Sequence, residues 1–348
     1  MAEANEARRV KLIKLDSNEN PFGPSPLAVR AMRAALAHCN LYPGEDSCDL
    51  QGNLAKYHHL LPEQILVTNG LTDLLGMLAR SFLAPGLNAI TSERSFIVYP
   101  IATRAAGGEL IEVPMREYRL DLEGMAAVIN RNSRLVFLAN PNNPTGTVLI
   151  AHEIQDFLVH LPEHVMVVLD EAYYEFAEYF AKLRNSQYSR ALEYVREGRN
   201  VVVLRTFSKV HGLAGVRIGY AMGSAPLIAK IKQQRTIYSV SHLGQMAAIA
   251  ALDDEEHLAK TVENNATQAE RLRDAINNLG FRVPLTWANF IYCEIGQDAG
   301  GVTQKLQSKG IAVKDLRQWG APTALRITVG TPAQNKAFLE AFRKIMER

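Results

Sequence analysis

The stretch "RTFSKVHGLAGVRIGYA", Arg205 to Ala221, sets two cations, Lys209 and Arg217, among small, hydroxyl and apolar residues. It follows "NVVVL", an apolar run with the composition of a buried strand. A lysine amine in such surroundings can act as nucleophile or base, and an arginine can grip a phosphate or carboxylate. The plainer alternative is that Lys209 snorkels to the surface and Arg217 pairs with a carboxylate of the core.

Three more strand ends carry polar residues. "RLVFLA" runs into "NPNNPTG", with Asn140, Asn143 and Gly146. "VMVVL" ends in Asp170, followed by Glu171 and Tyr173, and "QILVT" ends in Asn69, Gly70 and Thr72. Singly, each has an ordinary reading: "NPNNPTG" as a turn, Asp170 as a helix cap. Ligands of α/β sheets sit beyond the carboxyl ends of strands, so neighbouring ends would form one crevice holding a carboxylate, a lysine and hydroxyls. Pyridoxal phosphate needs such a set: a lysine amine for a Schiff base, a carboxylate opposite the pyridine nitrogen, and a phosphate cup of hydroxyls, backbone N–H groups and an arginine. Lys209 can supply the amine, Asp170 the carboxylate, and Thr206, Ser208 and Arg217 part of the cup. A buried Asp170 stays ionised only if paired, and a pyridinium would pair it.

These residues need a frame. From Leu60 to Lys232, seven apolar runs alternate with helix-length segments: "QILVT", "LNAIT", "ELIEVP", "RLVFLA", "VMVVLD", "NVVVLRT" and "VRIGYAM". The alternation predicts an α/β large domain with a mostly parallel seven-stranded sheet between helices. "VRIGYAM" follows "NVVVLRT" too closely for a crossover and is expected to run antiparallel. One helical stretch is expected from Leu243 to Leu279, stopped by Gly280. "FIYCEI", a helix near Val302–Lys309, "IAVKDL", "ALRITV" and a terminal helix from Pro332 suggest a smaller α+β domain. The division expected is residues 1–40 as an N-terminal segment packing on the small domain, 41–240 as the cofactor-binding domain, and 241–348 as linking helix and small domain.

Bulk properties narrow the class. A formal charge of +2 with dispersed basic residues gives no nucleic-acid surface. No apolar run reaches the roughly 18–20 residues of a membrane span, and the N-terminus lacks a signal-peptide pattern. Cys39, Cys48 and Cys293 are widely spaced, which fits a reduced, cytoplasmic setting without disulfides. His58, His59 and His211 lack metal-ligand spacing partners, so no metal is expected. Gly212 to Gly215 is no dinucleotide fingerprint, and no phosphate-loop motif occurs.

"NPNNPTG", "VVLDEAYYEF", "RTFSKVHGLAGVRIGY" and "LRITVGT", in this order and spacing, resemble fold type I pyridoxal-phosphate aminotransferases, specifically the histidinol-phosphate aminotransferase subfamily. "DSNENPFGPSP", "YPGEDSCDLQGNLAKYH" and "VPMREYRLDLEGM" are similar to it too, so the resemblance runs from about Leu15 to the C-terminus. It implies a homodimer acting on a small amine, histidinol phosphate, and a 2-oxo acid, 2-oxoglutarate. It implies that Lys209 carries the cofactor and shuttles the proton, that Asp170 pairs with the ring nitrogen, and that Tyr173 and Asn143 bond the ring hydroxyl. It places Phe96 on the ring, and Thr206, Ser208, Arg217 and the backbone of Gly70, Leu71 and Thr72 on the phosphate. Tyr42 reaches the phosphate from the partner subunit. Arg326 binds the substrate's anionic group, with Asn20 and Asn289 as further substrate contacts. Rivals on the same scaffold are a transaminase for an aromatic or specialised amino acid, and a lyase such as a threonine-phosphate decarboxylase. A non-catalytic cofactor-binding protein is disfavoured because Lys209 is intact.

Three features depart from the subfamily. Only about 15 residues precede the "NENP" motif, where members carry a longer arm. Phe96 replaces a more usual tyrosine and lacks the preceding Pro-Thr. "IAVKDLRQWG" is unusually polar, with Arg317 either a second anion contact or a surface residue; the surface reading is favoured.

Overall fold

The computed structural model describes residues 12–44 and 47–347. Eleven strands occur among them: β1 (Ile13–Leu15), β2 (Ile65–Thr68), β3 (Asn88–Ser92), β4 (Glu109–Val113), β5 (Ser133–Ala139), β6 (Met166–Asp170), β7 (Val201–Thr206), β8 (Gly219–Met222), β9 (Phe290–Glu294), β10 (Ile311–Leu316) and β11 (Ala321–Thr328). Seven of them form one sheet in the order β2-β8-β7-β6-β5-β3-β4. β8 is antiparallel to both of its neighbours, and the other pairs are parallel. All seven expected strands are present, and the antiparallel exception falls where chain length predicts it.

Period-two alternation splits each central strand between two cores. Val136 and Leu138 of β5 pack with Val167, Leu169, Val201 and Val203 on one face, beneath Leu50, Leu54 and Ala247. Leu135 and Phe137 face the other way, with Val168, Val202 and Leu204, against Leu74, Leu75 and Leu78 of the helix Gly70–Phe82. Helices on both faces explain why these strands read as unbroken apolar runs.

The second sheet has the order β1-β10-β11-β9 and its own core, where Leu15, Ile291, Leu325 and Ile327 meet Leu272, Phe338 and Phe342. β1 is too short to declare itself in the sequence. It pairs parallel with β10, Ile13 opposite Ile311, and so brings the N-terminal segment into this sheet.

The expected single helix from Leu243 to Leu279 is two, His242–Leu252 and Glu255–Asn277. The break is chemical. Asp254 Oδ1 accepts the His257 N–H as an N-cap, while its Oδ2 accepts from Ser25 Oγ and the Leu27 N–H. One carboxylate therefore starts a helix and ties down the chain leading into the site. Gly280, at φ +88°, closes the second helix as expected.

Candidate active site

The carboxyl ends of β5, β6 and β7 open on a cavity of about 430 Å³. Ladder register puts them side by side: Ala139 opposite Asp170, and Asp170 opposite Leu204. Asp170 is buried at the floor, where Oδ2 accepts from Tyr99 Oη at 2.8 Å and Oδ1 from the Ala172 N–H at 3.2 Å. Burial pushes its carboxyl up to about 6, with the two hydrogen bonds pulling the other way. Lys209 lines the same cavity, its Nζ 5.6 Å from the centre of the Tyr173 ring. Burial pushes this ammonium down to about 8; the Arg326 and Arg217 guanidiniums push the same way, and Glu19 opposes them.

Beyond β7 the chain makes a hydroxyl pocket. Thr206 Oγ1 accepts the Ser208 N–H at 3.1 Å, donates to the Ile218 carbonyl, and lies 3.0 Å from Ser208 Oγ. Arg217 returns to this spot in the left-handed region, φ +63°, its Nη1 donating to the Ala214 carbonyl. It lies against Gly70, the first residue of the helix Gly70–Phe82. A Cβ there would sit 2.6 Å from Arg217 Nη2, and Gly70 itself has φ +79°. Only glycine meets both demands. Leu71 and Thr72, in the first turn of that helix, line the cavity next to Arg217. A cation, two hydroxyls and a helix start around one space form a receptor for a phosphate.

The opposite wall comes from the smaller sheet. Arg326 on β11 is buried between the Phe290 and Trp319 rings, 5.5 and 5.7 Å from their centres. Its Nη1 donates to Asn143 Oδ1 at 2.6 Å and its Nη2 to the Asp16 carbonyl at 2.8 Å, while Nε is buried without a partner. Lys314 of β10 lines the same wall. Asn18, held at φ 55°, donates from Nδ2 to Tyr173 Oη at 2.9 Å.

The structure thus brings Lys209, Asp170, Tyr173 and Asn143 into the lining of one cavity with Phe96 and Arg326. Thr206, Ser208, Arg217, Leu71 and Thr72 share it, and Gly70 sits beneath Arg217. Three expected residues lie elsewhere. Asn20 is turned away, its Nδ2 donating to the Val210 carbonyl at 2.7 Å and to Thr261 Oγ1 at 3.1 Å. Asn289 also lies outside the lining, its Nδ2 donating to the Asn18 carbonyl. Tyr42 is 83% exposed, its ring 4.9 Å from that of Tyr238 and outside this chain's own cavity.

His211 is packed against Phe207, and Arg317 is exposed and paired with Asp298, the surface reading given to it. Glu171 and Arg205 face away from the cavity as a buried ion pair at 2.8 Å, with Arg205 over the Tyr174 ring. Among the described residues no cluster could hold a metal ion. Sequence reasoning missed Asp16, Asn18 and Glu19 in "DSNEN", which line the cavity together with Ser17, and it missed Tyr99. The signal for Tyr99 was its spacing, three residues after Phe96, close to one helical turn.

A half-buried lysine sharing a cavity with a buried carboxylate, with a phosphate receptor beside them at the strand ends of a seven-stranded α/β sheet, defines an enzyme of the fold type I pyridoxal-phosphate class. The family model "Aminotransferase class I and II" matches residues 10–342, and the chain belongs to that family: it is a pyridoxal-phosphate-dependent transaminase. It is 43% identical over 338 residues to histidinol-phosphate aminotransferase 2 of Pseudomonas fluorescens, covering 97% of this chain and 90% of that one. It is 40% identical to histidinol-phosphate aminotransferase of Moorella thermoacetica, over 96% of this chain and 86% of that one. The crystal structure of histidinol-phosphate aminotransferase from Sinorhizobium meliloti in complex with pyridoxal-5'-phosphate superposes with a TM-score of 0.88 at 30% identity, covering 96% of this chain and 90% of that one.

Proposed function

We propose that this chain transfers the amino group of histidinol phosphate to a 2-oxo acid such as 2-oxoglutarate. The observation carrying the reading is the single cavity that holds Lys209, Asp170, Arg217 and Arg326 together. The residues fit pyridoxal phosphate: Gly70 leaves room for the Arg217 guanidinium beside the hydroxyls of Thr206 and Ser208, and an amine and a carboxylate lie farther along the cavity. Bound there, the cofactor supplies an electron-withdrawing pyridinium that stabilises negative charge developing on the substrate Cα.

The protein's part is position and proton traffic. Arg217, Ser208, Thr206 and the first turn of the helix Gly70–Phe82 would hold the cofactor phosphate. Asp170 would pair with the ring nitrogen, Phe96 would cover the ring, and Asn143 and Tyr173 would bond its hydroxyl. Burial lowers the Lys209 pKa to about 8, so more of it is neutral amine near neutral pH than of an exposed lysine, and its Nζ can take a proton from the substrate Cα and return it on the far side of the bound nitrogen. Arg326 and Lys314 receive the substrate's anionic end. Two cations on one wall suit a phosphate dianion better than a single carboxylate. That match, with the names of the relatives, favours histidinol phosphate over an aromatic amino acid.

The site residues act across a homodimer in this reading. Tyr42 with its exposed neighbours Leu41 and Ile237 forms an apolar edge suited to a second subunit, where Tyr42 would reach the other phosphate receptor. The smaller sheet with its N-terminal strand forms a domain of its own beside the cofactor-binding domain. Three free cysteines suit a cytoplasmic enzyme. The test is an amine panel, following conversion of the cofactor's aldehyde absorbance. Histidinol phosphate is expected to discharge it fastest. Discharge by phenylalanine with none by histidinol phosphate would overturn the substrate assignment, and decarboxylation with the aldehyde retained would overturn transamination.

A further inference from the structure

The hydroxyl of Tyr99 lies 2.8 Å from Asp170 Oδ2, behind the carboxylate and outside the cavity lining. Tyr99 is 0% exposed, in the first turn of the helix Val98–Ala105. Its ring is stacked on Phe137 at 4.7 Å with an interplanar angle of 6°, and Phe96 meets it edge-on at 5.7 Å. The hydroxyl therefore cannot swing to another partner. Burial and the adjacent carboxylate hold its own pKa well above the ordinary tyrosine value, so toward Asp170 it is a fixed donor. The other oxygen, Oδ1, takes the Ala172 N–H, which leaves lone pairs on the carboxylate for one more N–H in the cavity. The remaining charged or titratable groups acting on Asp170 are Glu171, which disfavours its charge, Lys209, which favours it, and the buried Tyr173 phenol.

We propose that Tyr99 is a positioning residue that sets where the proton rests between Asp170 and the ring nitrogen of the cofactor. This inference rests on the cofactor reading above. A hydrogen bond donated to a carboxylate makes it a weaker base. The proton shared between ring nitrogen and Asp170 then stays on nitrogen, and the carboxylate keeps its charge. Without the Tyr99 donor, the buried carboxylate becomes more basic and draws the proton to itself. The ring nitrogen is left neutral and a charge-assisted contact becomes a weaker neutral one. No other bond changes: one proton moves across one hydrogen bond.

The experiment is equilibrium binding to the apoenzyme of pyridoxal phosphate and of its 1-deaza analogue, in which C–H replaces the ring nitrogen. Attachment to Lys209 and phosphate binding are common to both ligands and cancel in the ratio of their affinities. For Tyr99→Phe, affinity for the cofactor is expected to fall about tenfold, the worth of a hydrogen bond to a charged group, and affinity for the analogue less than twofold. Equal losses for both ligands would show that Tyr99 only packs, and overturn the proposal, as would no loss for either. If Tyr99→Phe does not fold, 3-fluorotyrosine at position 99, a stronger donor of the same shape, is expected to raise the cofactor-to-analogue ratio; an unchanged ratio overturns the proposal. A wild-type chain that binds neither ligand would instead refute the cofactor reading, and this inference with it.

Discussion

The two walls of the cavity are built in different ways. The wall from the large sheet is made by the ends of β6 and β7, adjacent in the ladder, and of β2 on the far side of β8, and each contributes residues from a few consecutive positions: Asp170 to Tyr173, Thr206 to Lys209, Gly70 to Thr72. The wall from the small sheet collects Arg326, Lys314, Asp16 and Asn18 from three distant stretches, joined by hydrogen bonds such as Arg326 to Asn143 and to the Asp16 carbonyl. In the proposed reading the first wall holds the groups that every reaction of this cofactor needs, and the second the groups that would select what reacts. Chemistry would then sit on the locally encoded wall, and selection on the wall whose parts can vary independently.

The comparison breaks most severely at Lys209. Lys209→Ala removes the one amine that the described residues place on the large-sheet wall and is expected to lower turnover about 10²–10⁴-fold, the scale of a lost general base. Borohydride should fix cofactor to the wild-type chain at this residue and not to the variant, as read by peptide mass. A reducible adduct persisting at the same site in Lys209→Ala would remove Lys209 from its role.

Arg326 tests the coupling between walls. Arg326→Gln removes the bonds to Asn143 and the Asp16 carbonyl and is expected to raise KM for the anionic amine by about 10–100-fold, with a smaller change in kcat. It also acts across the cavity. Burial is the first cause of the lowered Lys209 pKa and the Arg326 charge the second. Without that charge the ammonium is less disfavoured, so the Lys209 midpoint should rise above about 8 and cofactor association should slow near neutral pH. The pH profile of the association rate checks this. An unmoved midpoint with a raised KM would mean the walls act independently.

The asymmetry also explains what the sequence showed. Apolar runs ending in "LD", "LRT" and "LAN" announce both a strand and its polar tip, so the large sheet, its antiparallel exception and the groups at its edge were legible. Positions whose meaning depends on distant partners were not. In "DSNEN", Asn20 looked like the substrate contact, yet its amide meets Val210 and Thr261, and Asn18, two residues earlier, lines the cavity. The segment lies past the end of β1, and Asn18 at φ 55° turns the chain there, so no strand period tells which asparagine faces the cavity. Tyr99 was hidden because an aromatic residue in a first helical turn reads as core, which its ring also is. The two-helix break at Asp254 needed knowledge of Ser25, more than two hundred residues away.

Asn20 carries the smallest expected effect and the sharpest separation of scaffold from selector. Its Nδ2 donates to the carbonyl of Val210, the residue after Lys209, and its Oδ1 accepts the Phe22 N–H at 2.9 Å. Asn20→Ala leaves these buried groups unsatisfied, which costs about 1–3 kcal/mol of stability, read as a lowered Tm of the holoenzyme. KM for the amine should stay within about threefold, because no atom of Asn20 reaches the cavity wall. Asn18→Ala is the contrasting variant. It frees Tyr173 Oη from its donor and should alter cofactor absorbance as well as turnover. A tenfold rise in KM for Asn20→Ala with Tm unchanged would return Asn20 to the substrate, and would mean that the selecting wall extends past the cavity seen in this structure.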